Sequence, residues 1–304
     1  MPEPLTSLPL EVGNDDYPAL FLAADRASTA AQRRHLLFTS AILLALVCGA
    51  GLGALSSILS SGKTALAVAT TSLVSLSFVL TAIRRALKPE KLWYGGRAVA
   101  ESAKSMAWRY MTGADPYFIS APGVDGKFIA DLKSLVKDSD QLAVGFSSEY
   151  ADRRQISARM REVRAGNLPS RRQIYLQQRI SDQRRWYGRK ARKSQSAESG
   201  YFVVILLSQA LALAAGAYMI ASPGSKWNLV GVFSSLASAL VAWLQVRQHE
   251  ELAQSYAVAA LELGFIEEQA AGIGSDQDFS SFVGDAENAI SREHTLWIAR
   301  RDRS

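Results

Sequence analysis

The residue types able to do chemistry are few in this chain, and they do not converge. There are three histidines, His35, His249 and His294, and one cysteine, Cys48. His35 and His249 each border a long apolar stretch, and Glu293-His294 lacks the second histidine of a zincin motif. All three are read as packing or hydrogen-bonding residues. Cys48 lies inside a charge-free stretch with no base beside it, so it reads as a small apolar filler. A single cysteine can form neither an intrachain disulfide nor a cysteine-based zinc site, which leaves only intermolecular pairing. No catalytic residue, metal or cofactor is assigned, and the chain is expected not to be an enzyme.

The small and hydroxyl-bearing residues do form patterns, and the elements that hold them are unusual. Four stretches contain no Asp, Glu, Lys or Arg: Leu36–Gly62 (27 residues), Thr64–Ile83 (20), Ser199–Ser225 (27) and Trp227–Val246 (20). A hydrocarbon core about 30 Å thick is crossed by roughly 20 apolar helical residues, so each stretch can span it. The lengths repeat in pairs, and Lys63 or Lys226 is the only charge between the members of a pair. That is the pattern of one hairpin duplicated. The expected fold is all-α and polytopic, with spans at 37–60, 64–84, 200–221 and 227–246, a first unit over 1–140 and a second over 141–304. A soluble fold would have to bury helices that lack charge on every face. A cleaved secretory leader fits poorly, because charged residues precede the first span and a second span follows at once.

Within the fourth span, Gly231, Ser234, Ser235, Ser238, Ala242 and Gln245 fall on one arc at helical spacing. In the first span, Ala41, Ala45, Gly49, Ser56 and Ser60 form a similar stripe. The second carries Thr64, Thr71 and Ser75 on one face and Thr70, Ser77 and Thr81 on another. Two readings stay open: small residues that let helices approach closely, or weakly polar faces that line a pore shared between protomers. No intramembrane charge marks a proton relay or ion-coupling site, which argues against a secondary transporter. Four helices are too few to enclose a wide channel, so conduction requires a homo-oligomer.

Charge is distributed as unevenly as hydrophobicity. Of 34 Lys and Arg, 32 lie outside the two turns at Lys63 and Lys226. The positive-inside bias therefore places both termini and the central region on the cytoplasmic side. Residues 84–198 carry 24 basic against 12 acidic side chains, and the tail after Val246 carries 5 against 11. The basic excess suits membrane lipid headgroups or an anionic nucleotide, with Arg179, Arg184, Arg185, Arg189 and Lys190 as the contacts. No Gly-rich phosphate loop or aromatic-rich nucleic-acid motif is present, and no nucleic acid is expected as a partner.

Outside the spans, a helix from Tyr17 is expected to run straight into the first, and Lys88-Pro89 to break the chain before a helix over 90–111. Thr112–Asp125 reads as a loop. Asp125 is expected to cap a helix burying Phe128, Ile129, Leu132, Leu135 and Val136. A capping run at Ser147-Ser148-Glu149-Tyr150 opens an Arg-rich stretch, and a polar helix from Ser170 continues toward the third span. The fourth span is expected to continue unbroken through His249 to Gln269, burying Leu252, Tyr256, Ala259, Ala260, Leu263 and Ile266. A last helix runs over 280–301 and contains Trp297. Trp93-Tyr94 and Trp186-Tyr187 read as membrane-surface or core aromatics rather than base-stacking platforms.

Four segments carry a resemblance: Tyr17-Pro18-Ala19-Leu20 to Arg33, Ala100–Met111, Tyr175–Ile180 to Asp182–Tyr187 with Lys190-Ala191, and Ala289–Trp297. Together they resemble the SLATT superfamily, bacterial two-helix membrane proteins of nucleotide-signalled conflict systems, with two types fused in tandem. The resemblance implies an effector that perforates the inner membrane when a nucleotide second messenger or a neighbouring-gene sensor triggers it. It implies no reaction. The expected function is thus an oligomeric pore that depolarises the membrane in antiviral or inter-bacterial conflict, gated by cytoplasmic helices. The alternative is a non-conducting anchor or scaffold that recruits a signalling protein.

Overall fold

The computed structural model describes residues 11–137, 148–150 and 152–301, and the side chains of these except 148 and 292–301. Among them the chain is helical and contains no strand. In order the helices are α1 (Ala19–Ile58), α2 (Lys63–Leu87), α3 (Pro89–Thr112), α4 (Val124–Lys137) and α5 (Ala158–Ala165). Then follow α6 (Leu168–Tyr175), α7 (Asp182–Ala221), α8 (Val230–Arg247), α9 (His249–Gln269) and α10 (Asp276–Arg301). The expected cap at Ser147 lies outside the described residues, as do the side chains of His294 and Trp297.

The architecture is a repeat. In each half a 40-residue helix, α1 or α7, leads through a short connection, four residues in the first half and eight in the second, into a second apolar helix, α2 or α8. That helix ends at a residue in the left-handed conformation, and a further helix, α3 or α9, begins at the next position. The two break residues are Lys88 (φ 44°) and Gln248 (φ 49°), the only non-glycine residues at positive φ among the described residues. At Lys88 the following proline cannot supply an N–H to the helix, so the break is expected. At Gln248 the sequence reads as a continuous helix, and the structure corrects that expectation. The amide of Gln248 still bonds the Leu244 carbonyl at 2.8 Å, closing α8 as a C-cap before α9 sets off on a new axis.

The chain packs as two compact units. One, the span unit, comprises Gln32–Pro89 and Ala191–Gln254; the other, the bundle, comprises the chain up to Ala31, Glu90–Lys190 and Ser255 onward. In the bundle both halves of the repeat share one core. Trp108 on α3 is fully buried and meets Tyr17 and Tyr175 edge-on, at centroid distances of 6.3 and 5.7 Å. α1 and α3 approach closely at Gly96: a Cβ there would lie 3.0 Å from Ser28 Cβ and 3.1 Å from the Ala24 carbonyl. Ser28 Oγ donates to the Trp93 carbonyl at 2.8 Å across the same contact.

Other sequence expectations shift for local reasons. α5 begins eleven residues beyond Ser147, because Ser157 Oγ accepts from the Met160 amide. α6 begins at Leu168 rather than Ser170, with Asn167 capping the Ser170 amide at 3.0 Å. α10 starts at Asp276, where Ser275 Oγ accepts from the Asp278 amide. Asp125 does not cap α4; it accepts from Tyr110 Oη at 2.6 Å and from Arg161 at 2.8 Å. α4 buries Phe128 and Leu132 as expected, but Ile129 and Val136 are exposed.

A left-handed residue other than glycine is disfavoured by about 1–2 kcal/mol, and most strongly when it is β-branched. Gln248 already carries that cost, so Gln248→Gly is expected to raise the thermal stability of the detergent-solubilised protein by up to about that amount, whereas the β-branched Gln248→Val is expected to lower it. Thermal unfolding followed by circular dichroism checks both.

Candidate functional site

The four spans sort their small and hydroxyl residues into inward and outward faces, a distinction helical spacing does not supply. In α1, Ala45 and Gly49 are buried, and a Cβ on Gly49 would sit in ordinary contact with Val74 and Leu73 of α2, at 3.8 and 3.9 Å. Ser56 is half-buried, while Ala41 and Ser60 are exposed. The middle of this stripe therefore packs the hairpin. α2 resolves into two faces. Ser77 is buried and Thr70 half-buried, whereas Thr64, Thr71 and Ser75 point outward and line a shallow, open groove with Ser72 and the apolar Ala67, Val68, Leu76 and Val79.

On α8 the stripe is mostly outward. Gly231, Ser234, Ser238 and Gln245 are exposed, Ser235 and Ala242 are half-buried, and the buried position is Ala237. The outward groove on α2 lies on a face that spacing placed on an equal footing with its inward one. Several hydroxyls in these helices donate to their own backbone, Ser72 to the Val68 carbonyl and Thr81 to Ser77, both at 2.8 Å. Such back-bonding satisfies a hydroxyl where water is absent.

At the end of α8 the polar contacts become dense. Trp243 Nε1 donates to Tyr201 Oη at 3.1 Å, Arg247 lies over the Trp243 ring, and the His249 ring stacks on Tyr201 at 5.9 Å. His249 is buried next to the Gln248 break. Burial first, then the Arg247 cation, holds its imidazole below the ordinary histidine value, with Glu198 opposing. A histidine depressed in the fold keeps its full stability above the ordinary value of about 6.5 and loses it as pH falls through the folded value. Stability is therefore expected to fall as pH drops below about 6.5, and His249→Phe is expected to flatten that limb. Thermal unfolding across pH checks it.

The basic residues proposed as anionic contacts separate in the bundle. Arg179 is not on the surface. A π-helical turn at Leu176–Ser181 rotates it into the core, where it is 2% exposed and forms a bidentate pair with Glu287 at 2.9 and 2.7 Å. Tyr175 Oη donates to the same carboxylate at 3.0 Å. Arg184 is half-exposed and bonds Glu267 at 2.8 Å, and Arg185 pairs with Asp182. Arg189 and Lys190 are exposed, Lys190 over the Trp186 ring. Trp186 and Tyr187 both pack on Tyr256 of α9, as core aromatics do.

The same buried region contains Lys104, whose ammonium lies over the Tyr17 ring at 5.1 Å. Burial, then repulsion from Arg179, pushes it down to about 8. Burial also raises the Tyr17 and Tyr175 phenols above their ordinary range. Among the described residues no group of three His, Cys, Asp or Glu side chains is placed to hold a metal ion. Removing one member of a buried ion pair strands the other and costs about 3–5 kcal/mol, while replacing both by apolar residues is far milder. Glu287→Ala is thus expected to destabilise the fold by that amount, and the double variant Arg179→Met with Glu287→Leu to recover most of it, read by thermal unfolding.

Four helices long and apolar enough to cross a membrane, arranged as two hairpins, define a multi-pass helical membrane protein. Its kind follows from two family matches. Residues 18–172 match SMODS and SLOG-associating 2TM effector domain 3, and residues 175–297 match SMODS and SLOG-associating 2TM effector domain 1. The chain belongs to the SLATT family, as a tandem of two of its types, and so to the membrane-associated effectors of conflict systems. Comparison with curated proteins and with solved structures found no match.

Proposed function

We propose that this protein is an inner-membrane effector that oligomerises into a pore and depolarises the cell, with its bundle and both termini in the cytoplasm. The observation that carries the reading is the outward, uncharged surface of the span unit on which hydroxyls interrupt apolar side chains: the shallow α2 groove, where Thr64, Thr71, Ser72 and Ser75 stand among Ala67, Val68, Leu76 and Val79, and the α8 face at Gly231, Ser234, Ser238 and Gln245. A weakly polar face suits water passing between protomers better than it suits acyl chains, and the absence of charge along it fits an unselective conduit. The orientation rests on the 32 basic residues outside the two turns. The reading assigns no reaction.

The trigger would act on the bundle, by binding one of its arrangements more tightly than another. Arg185, Arg189 and Lys190 are among the exposed cations of α7 that a nucleotide second messenger or an acidic face of a sensor protein would meet. One observation favours the scaffold reading instead: Ser72, Ser77, Thr81, Ser208 and Ser235 all donate to carbonyls of their own helix, and so tolerate lipid.

Membrane potential in bacteria expressing the full chain with its neighbouring genes separates the two. The pore reading expects rapid depolarisation that precedes loss of viability. It expects Thr71→Leu with Ser75→Leu, or Ser234→Leu with Ser238→Leu, to slow depolarisation at least about tenfold, the effect of roughly 1.4 kcal/mol, at unchanged membrane levels. An unchanged potential despite insertion and activated partners would establish the scaffold.

A further inference from the structure

The outer face of α9 carries large apolar side chains that the bundle's core leaves uncovered. Val258, Leu261 and Phe265 follow helical spacing along it and are 55%, 65% and 66% exposed. Glu262 flanks this ridge on one side and Glu268 on the other, both exposed, and residues 249–269 contain no Lys or Arg. Contiguous exposed apolar surface of this kind marks an interaction site. An occupant must bring apolar side chains and positive charge together.

The chain itself carries such a surface on α4. Ile129 and Val136, at 41% and 36% exposure, form an apolar edge beside the exposed Lys133 and Lys137. Both acids of α4 are engaged within their own chain, Asp125 with Tyr110 and Arg161, and Asp131 with Tyr117 Oη and Lys127. The levels also agree. Arg171 donates to the carbonyl of Thr112, the last residue of α3, and its neighbour Arg172 donates to that of Ile273, just past α9, so the ends of α3 and α9 lie side by side. α4 packs through Phe128 on Tyr110, in the last turn of α3. It therefore sits at the level of the Phe265 end of α9, and a second copy in the same bilayer presents its α4 at that level.

We propose that the α9 ridge of one copy docks on α4 of the next, with Leu261 and Phe265 against Ile129 and Val136, and Glu262 and Glu268 opposite Lys133 and Lys137. Pairing α9 with α9 would instead set glutamates against glutamates. Because the two surfaces differ, the contact is head-to-tail and propagates into a ring or a filament. It joins the second SLATT domain of one chain to the first of its neighbour. The inference deepens the pore reading and rests on it for its purpose, but assembly and conductance are read separately.

The test uses the full chain in membranes on a Cys48→Ser background. With Phe265→Cys and Val136→Cys in one chain, oxidation is expected to give a ladder of multimers, and Phe265→Cys alone to give none. Glu262→Lys with Glu268→Lys is expected to weaken the ladder roughly tenfold or more, since like charges oppose across the contact. Adding Lys133→Glu with Lys137→Glu is expected to restore it. Self-crosslinking through Phe265→Cys alone, a ladder indifferent to the charge reversal, or failure of the restoring reversals in a normally inserted chain would overturn the contact. Depolarisation without any ladder overturns it and leaves the pore standing. A ladder without depolarisation sinks the pore and leaves the contact.

Discussion

Everything in this protein follows from helices that carry no charge on any face and cannot be covered by their own chain. Leu36–Gly62, Thr64–Ile83, Ser199–Ser225 and Trp227–Val246 are free of charged residues, and Leu44, Phe78, Leu207, Leu213 and Ile220 stand exposed on them. Only hydrocarbon makes such surfaces favourable, and in hydrocarbon every backbone group must be satisfied within the helix. The serine and threonine hydroxyls obey the same rule by turning back onto carbonyls three or four residues earlier. Close packing of Ala45 and Gly49 against α2 then supplies what the hydrophobic effect cannot supply between helices in lipid.

The bundle obeys the opposite constraint. Its helices are rich in charge, so they bury what apolar surface they can and pair what is polar inside. Trp108, Tyr17 and Tyr175 form an aromatic centre, and the Arg179–Glu287 pair closes it across 108 residues of sequence. Residues of both SLATT domains meet there, so the tandem is one folded object rather than two domains on a string. The two units are joined along the chain in two different ways. α1, α7 and α9 pass from one into the other as unbroken helices, whereas the remaining crossing falls where α2 meets α3, at the left-handed Lys88 and Pro89.

The spans, the repeat and the break at Lys88-Pro89 were legible because each rests on a hard exclusion: charge from lipid, and proline from a helix interior. The break at Gln248 was not, because glutamine carries no local signal for a left-handed residue. Arg179 read as a surface cation because its neighbours on the polar helix are; only Glu287, far along the chain, and the π-turn explain its burial. Helical spacing found the small-residue faces of α1, α2 and α8 but could not say which point inward. On α4 it assigned Ile129 and Val136 to the core, although a helix at a bundle's edge buries only half of a wide apolar arc. The family matches, residues 18–172 and 175–297, agree with the resemblance carried by the segments around both hairpins.

The central claim is that this protein conducts, and conductance of the purified full-length chain in planar bilayers tests it most directly. The account predicts stepwise currents with little preference between small cations and anions, because the span faces carry no charge. A silent bilayer with correctly inserted, oligomeric protein and its activating partner present would contradict it.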